Sequence, residues 1–213
     1  MKLKKSLLKK SRVYLILDRP AFNSFSLKKI SNLVSSNEIG LIQLRDKFSA
    51  KADVLRFAIQ LAKCLALTKT LFIINDDVDL AVACGADGVH LGQDDLSLKQ
   101  ARKILGKDKI IGLSCHSLAQ ALKAQKEGAD YIGIGPLYAT PTKPGCAGIG
   151  LKVAAELKAK IKIPYFAIGN INEGNLKEIT TIGIRRIAVC RAILKAANSK
   201  QAAKRLYKKL GNL

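Results

Sequence analysis

Polar side chains recur at a regular spacing after one short apolar run, in Gln43-Leu44-Arg45-Asp46-Lys47. Gln43, Arg45 and Lys47 lie at positions i, i+2 and i+4, so a β-strand would place all three side chains on one face. Two cations and an amide that converge in an enclosed space need an anion to neutralise them. The alternative is a strand end that continues into a solvated charged loop. The neighbouring apolar residues Ile42 and Leu44 suit the helix-facing side of such a strand, which favours the anion-binding interpretation.

Two acidic clusters follow two other apolar runs. Asn75-Asp76-Asp77 comes after the apolar run at 71–74, and Gly92-Gln93-Asp94-Asp95 comes shortly after 88–90. Carboxylates from two neighbouring strand ends can share one hard cation, with phosphate oxygens and water completing the shell, as Mg²⁺ prefers. Each cluster alone is more often a helix N-cap or a solvated loop. Together with the nearby cations they predict a magnesium site.

Short apolar runs alternate with longer amphipathic stretches along the whole sequence, which is typical of repeated β-α units and a parallel sheet. In the stretch 52–67, apolar residues recur at the three-to-four spacing of a helix face. The number of apolar runs favours a closed (β/α)8 barrel of the α/β class over an open sheet. We expect one domain over residues 1–213, with residues 1–12 as a basic N-terminal extension. The predicted strands are 13–17, 40–44, 71–74, 88–90, 110–113, 131–134, 165–168 and 186–189.

The other predicted strands also end in polar residues, as expected for an active site at the carboxyl ends of barrel strands. Ser114 lies two residues before His116, but the pattern of a nucleophile elbow is missing, so we interpret Ser114 as a donor to substrate. Thr140-Pro141-Thr142-Lys143 offers hydroxyls and an ammonium group to a phosphate, although a Pro-restrained loop is the alternative. Gly169-Asn170 and Cys190-Arg191 follow the last two strands, where barrels often bind phosphate.

The formal net charge of +21 raises the hypothesis of nucleic-acid binding. The excess lies mainly in residues 1–12 and 179–213, which contain no acidic residue. Solvated helix faces explain such segments, and no aromatic residues are interleaved with the charges, so we do not expect a nucleic-acid partner. We expect the substrates to be small molecules.

The sequence shows no signal of membrane insertion or of secretion. No apolar run approaches the ~18 residues needed to span a bilayer, and no apolar stretch follows the charged N-terminal residues. The five cysteines are scattered and form no C-x-x-C pair, which argues against disulfides and zinc. We therefore expect a cytoplasmic protein with reduced thiols.

Taken in order, these motifs resemble those of the thiamine-phosphate synthase family. The resemblance covers roughly residues 13–193 and rests on the ordered set rather than on any single motif. Its motifs are Gln43-Leu44-Arg45-Asp46-Lys47, Ile74-Asn75-Asp76, Gly88-Val89-His90-Leu91-Gly92-Gln93-Asp94-Asp95 and Thr140-Pro141-Thr142-Lys143. It implies an enzyme that joins a hydroxymethylpyrimidine diphosphate to a thiazole phosphate, releasing diphosphate and forming thiamine phosphate.

The resemblance also implies a role for each matching residue. Asp76 and Asp95 would bind Mg²⁺, and Ser114 would contact the pyrimidine. Charge on the departing diphosphate would be stabilised by Arg45, Lys47 and Lys143. The pyrimidine diphosphate would be held by the segment from Gln43 to Lys47, which includes Leu44 and Asp46, and by Asn75 and Lys143. The thiazole phosphate would be held by Thr140, Pro141, Thr142, Gly169, Asn170, Cys190 and Arg191.

The chain departs from the family pattern at the thiazole-phosphate side. Asn170 stands where a second glycine is usual, and Arg191 stands where serine is usual. Asn tolerates positive φ better than most residues, and Arg can pair with phosphate. The alternatives are a thiazole tautomerase of the same family and a basic barrel that binds RNA without catalysis. Retention of the cations and carboxylates favours the synthase.

Overall fold

The computed structural model describes residues 2–22, 26–140 and 147–211. Within these residues, eight parallel strands close into a barrel in sequence order, and β8 pairs with β1. The predicted (β/α)8 barrel is therefore confirmed. The strands are β1 Val13–Asp18, β2 Ile39–Arg45, β3 Leu71–Asn75, β4 Gly88–Leu91, β5 Ile110–Cys115, β6 Tyr131–Ile134, β7 Tyr165–Ala167 and β8 Ile187–Val189.

Helices follow the strands along the chain, and the predicted amphipathic stretch 52–67 forms a helix over Lys51–Leu65. The sequence did not predict the helices at Lys2–Lys10, Arg19–Phe22 and Arg191–Leu194, because these segments are short or rich in lysine. The described helices are α1 Lys2–Lys10, α2 Arg19–Phe22, α3 Leu27–Val34, α4 Lys51–Leu65, α5 Val78–Ala83, α6 Leu98–Leu105, α7 Leu118–Lys126, α8 Gly150–Lys160, α9 Leu176–Thr181, α10 Arg191–Leu194 and α11 Ser199–Lys209.

The strands are buried on both faces, as parallel strands covered by helices should be. Alternate residues of β1 show the two directions. Leu15 and Leu17 belong to the apolar layer between the sheet and the helices, whereas Tyr14 and Ile16 belong to a smaller cluster inside the barrel. The inward-facing positions at the carboxyl ends of the strands are thus the ones that build the cavity described below.

Helix α1 covers the amino-terminal end of the barrel. Leu8 is 2% exposed and packs into the interior cluster. Lys4 forms an ion pair with Asp87 at 2.8 Å, and Lys5 forms one with Asp130 at 3.0 Å. These contacts anchor the basic N-terminal segment as a folded cap on the barrel.

Local signals at the helix ends agree with the sequence. Ser117 caps α7 by accepting a hydrogen bond from the backbone of Gln120, as serine commonly does at a helix start. Gly85 and Gly128 take positive φ values of 73° and 88° where helices end and strands begin. The described cysteines are all free thiols. No helix in the described ranges is long and apolar enough to cross a membrane.

Candidate active site

A cavity of about 270 Å³ opens at the carboxyl ends of the strands. The closed barrel brings these strand ends together, so residues far apart in sequence share one space. It is lined by residues of every strand except β7 and by residues of the loops that follow the strands. The residues predicted from the sequence that line this cavity are Gln43, Arg45, Asn75, Ser114, Thr140, Gly169, Asn170, Cys190 and Arg191.

The predicted cations already have carboxylate partners. Arg45 hydrogen-bonds through its guanidinium to Asp18, which is 5% exposed at the end of β1. Lys47 forms an ion pair with Asp76 at 2.9 Å. In this structure, carboxylates at the ends of neighbouring strands therefore supply the anions that these two cations need. An anionic ligand has to compete with, or rearrange, these two ion pairs.

Asp76 and Asp95 lie close together beside the cavity. Asp76 takes a positive φ of 61° directly after β3, and the Asp95 carboxylate accepts a hydrogen bond from Gly92 N at 2.6 Å. Burial raises the pKa of Asp76, but hydrogen bonds with Lys47 and Asp95 and the Lys47 charge outweigh burial and lower it. Burial and the neighbouring Asp76 raise the pKa of Asp95. Because their pKa values shift in opposite directions, the two carboxylates can share one proton or one cation.

The donor set around these carboxylates fits a hard cation that shares its shell with a substrate. Within the described residues, no group of three or more His, Cys, Asp and Glu side chains could hold a metal ion. A fully protein-ligated site of the zinc type is therefore not formed there. Two carboxylates leave positions for phosphate oxygens and water, which is the usual arrangement for Mg²⁺.

The floor of the cavity is a chain of hydrogen-bonded side chains. Gln43 Nε2 donates to Tyr14 Oη at 2.5 Å, and the hydroxyls of Tyr14 and Tyr131 lie 2.8 Å apart. His90 Nδ1 lies 3.0 Å from Tyr131 Oη, and His90 Nε2 lies 3.0 Å from Ser114 Oγ. Burial raises the pKa of both phenols well above its ordinary value, so both are neutral.

The opposite side of the cavity combines tight backbone packing with an exposed cation. A Cβ atom on Gly169 would lie 2.5 Å from Pro136 Cα, so only glycine fits there. Asn170 takes a positive φ of 49°, as its residue type allows. Burial raises the pKa of Cys190 to about 11, so the thiol is protonated. Arg191 is exposed and lines the cavity at the start of α10.

Two predicted contacts point elsewhere. The Leu44 side chain is 3% exposed in the apolar layer under the helices, because it alternates with the inward-facing Gln43 and Arg45. Asp46 accepts hydrogen bonds from the backbone of Phe48 and Ser49, and it borders a separate outer cleft. Their side chains therefore do not line the substrate cavity. The predicted contacts Pro141, Thr142 and Lys143 lie outside the described residues.

Sequence reasoning missed two inward-facing residues of the first strand. Tyr14 lines the cavity, and Asp18 neutralises Arg45. The two residues alternate with apolar ones, as Gln43 and Arg45 do in β2, so the same period-two pattern could have found them. Asp77 takes the structural role considered for it, because it caps α5 by accepting a hydrogen bond from Leu80 N.

Comparison with known proteins identifies the family. A family model described as thiamine monophosphate synthase matches residues 13–193, which span all eight strands and every described cavity residue. The chain belongs to the thiamine monophosphate synthase family. Membership explains why the motifs occur in this order around the barrel.

Relatives within the thiamine monophosphate synthase family align over most of the chain. A thiamine-phosphate synthase of Clostridium acetobutylicum is 39% identical over 92% of this chain and 93% of its own. One from Shouchella clausii is 44% identical over 79% of this chain and 81% of its own. The structure of thiamine phosphate pyrophosphorylase from Pyrococcus furiosus superposes with a TM-score of 0.83 at 33% identity, covering 96% of this chain and 97% of that one.

Proposed function

We propose that the chain is a thiamine-phosphate synthase that joins 4-amino-2-methyl-5-hydroxymethylpyrimidine diphosphate to a thiazole phosphate. Family membership and the named relatives support this activity. The observation that carries the chemical proposal is the pair Asp76 and Asp95, which lies beside Lys47 and next to the cavity residue Asn75. Two carboxylates and a cation in one place suit a magnesium diphosphate.

The two ends of the cavity suit the two substrates. Gln43, Arg45 and Asn75 line the side next to the carboxylates, where the pyrimidine diphosphate would bind. Gly169, Asn170 and Arg191 line the other side, where the thiazole phosphate would bind. The segment from Thr140 to Thr142 would add hydroxyls at the thiazole phosphate, which Cys190 would border. Lys143 would add a positive charge at the pyrimidine diphosphate.

The proposed reaction breaks one C–O bond and forms one C–N bond. The electron pair of the C–O bond leaves with diphosphate, and the thiazole nitrogen then donates its lone pair to the pyrimidinylmethyl cation. Arg45 and Lys47 stabilise the charge that develops on the leaving group. The cavity holds the two substrates in line for bond formation. No protein nucleophile is needed.

Asp76 and Asp95 would hold Mg²⁺ in this scheme. When bound, the ion would neutralise charge on the diphosphate. Without it, Lys47 would face two neighbouring carboxylates and the incoming polyanion. The two carboxylates and the diphosphate would then repel each other.

The test is to incubate the purified protein with both substrates and Mg²⁺ and to measure thiamine phosphate and diphosphate in equal amounts. Chelation should abolish turnover, and added Mg²⁺ should restore it. Undiminished turnover in excess chelator would remove the metal from the proposal. Isomerisation of the thiazole phosphate without condensation would instead identify a tautomerase.

A further inference from the structure

The hydrogen-bonded floor of the cavity joins residues from five strands, and its proton positions can be worked out link by link. Gln43 donates an amide proton to Tyr14 Oη, so the single hydroxyl proton of Tyr14 is available for Tyr131. Tyr131 then donates its own proton to His90 Nδ1. Because Nδ1 of the neutral imidazole accepts this hydrogen bond, the ring proton lies on Nε2, which faces Ser114 Oγ.

The reverse direction leaves a buried proton without an acceptor. If Tyr131 donated to Tyr14, the Tyr14 hydroxyl would meet only the Gln43 amide nitrogen and the Tyr131 oxygen among the described partners. Tyr14 is 2% exposed and Tyr131 is fully buried, so such an orphaned proton is unfavourable. The orientation of the Gln43 amide thus sets the donor-to-acceptor direction of all the hydrogen bonds from Gln43 to Ser114.

The barrel is shaped around these rings. A Cβ atom on Gly112 would lie 2.1 Å from the Tyr131 ring, and one on Gly133 would lie 3.3 Å from the His90 ring. Phe166 packs edge-on against both phenols, with ring centroids 5.4 Å from Tyr14 and 5.7 Å from Tyr131. Glycine gaps and ring packing therefore hold the phenols and the imidazole in one arrangement.

We propose that Tyr14 and Tyr131 are positioning residues that fix His90 as the Nε2–H tautomer and so make the Ser114 hydroxyl a donor to the ligand. Ser114 Oγ accepts from His90, which leaves its own proton for an acceptor in the cavity. The amide oxygen of Gln43, to which none of the described residues donates a hydrogen bond, offers an acceptor on the same cavity wall. An aminopyrimidine carries both complements, ring nitrogens that accept and an exocyclic amine that donates. The part of this inference that concerns turnover rests on the proposed function.

The tautomer can be measured without any assay of activity. The chain contains two histidines, so ¹⁵N-histidine labelling of the full chain gives two imidazole spin systems, which His116→Asn would assign. At about pH 8.5, well above the ordinary imidazole pKa of ~6.5, the ¹⁵N shifts report the neutral tautomer. We expect His90 to show Nε2–H. An Nδ1–H signal in the wild-type protein would overturn the proposal.

Tyr131→Phe tests the link that sets the tautomer. The variant keeps the ring but removes the donor to Nδ1, so the His90 shifts should move toward a mixture of tautomers. The matched control is Tyr165→Phe. It removes a half-buried hydroxyl of the neighbouring strand β7 that takes no part in the hydrogen bonds between Gln43 and Ser114, so the His90 shifts should not change. Unchanged shifts in Tyr131→Phe would refute the positioning role. If Tyr131→Phe does not fold, the wild-type spectrum still decides the proposal.

Kinetics then separate positioning from simple packing. Tyr131→Phe should lower kcat/KM for the pyrimidine diphosphate by about 5- to 10-fold, the effect of one weakened hydrogen bond. The KM for the thiazole phosphate should not change. Equal losses for both substrates would indicate a general structural defect and overturn the role in recognition. Absence of any synthase activity in the wild-type protein would refute the proposed function but leave the tautomer result standing.

Discussion

The two ends of this barrel are built from the same strands, but one end stabilises the fold and the other forms the binding site. At the amino end, Leu8 of α1 packs on inward-facing apolar residues and closes the interior. At the carboxyl end, inward-facing positions carry Asp18, Arg45 and Asn75 around an open cavity. Burial of apolar surface stabilises a fold, whereas clustered charges cost stability and provide binding. The comparison predicts that substitutions at the carboxyl end change catalysis and those at the amino end change stability.

Arg45→Ala should produce the largest effect on catalysis. Loss of a charge-stabilising donor should lower kcat/KM by a factor of about 10²–10³. A coupled enzyme assay of diphosphate release would measure this loss. The variant also leaves the Asp18 carboxylate buried without its partner, so Tm should fall. The double variant Arg45→Ala/Asp18→Asn should regain Tm but not activity. Wild-type kinetics in Arg45→Ala would exclude this side chain from the diphosphate site.

Leu8→Ala should give the largest change at the other end. Removal of a fully buried leucine side chain typically costs about 2–5 kcal/mol, which urea unfolding would measure. The kcat/KM of the folded fraction should stay at the wild-type value. Leu3→Ala is the matched control in the same helix, because Leu3 is 73% exposed and its loss should change stability by less than ~0.5 kcal/mol. Equal effects of the two substitutions would mean that α1 is not a structural cap.

Arg191→Ser should have an intermediate and substrate-specific effect. If the guanidinium pairs with the thiazole phosphate, its loss should raise the KM for that substrate by about 5- to 10-fold at low salt. The KM for the pyrimidine diphosphate should not change. Lys195→Ser removes a cation one helical turn away and serves as the control. An unchanged acceptor KM would make Arg191 part of the surface charge only.

Lys5→Ala should have the smallest effect. Its ion pair with Asp130 is half-exposed on the lysine side, and Asp130 keeps a second partner in Arg102. The free energy of unfolding should therefore fall by less than ~1 kcal/mol, and less still in high salt. Activity should not change. A larger loss would show that charges, and not only Leu8, hold the cap in place.

The sequence by itself determined the architecture and part of the cavity lining. Alternating apolar runs and amphipathic stretches are local patterns, so they predicted eight strands and their helices without knowledge of contacts. The period-two spacing of Gln43 and Arg45 predicted that both face inward, and both line the cavity. It also predicted that Leu44 faces the helices, which is why its side chain cannot touch a ligand there.

Only the tertiary structure decided which of these side chains meet. Arg45 pairs with Asp18, and Lys47 pairs with Asp76, because barrel closure and register set neighbours across strands. The chain from Gln43 to Ser114 crosses the barrel interior through β1, β6 and β4, an order that no sequence spacing contains. Periodicity fixes the face of a strand on which a residue lies. The partner across the barrel depends on the closed geometry, which is a property of the whole fold.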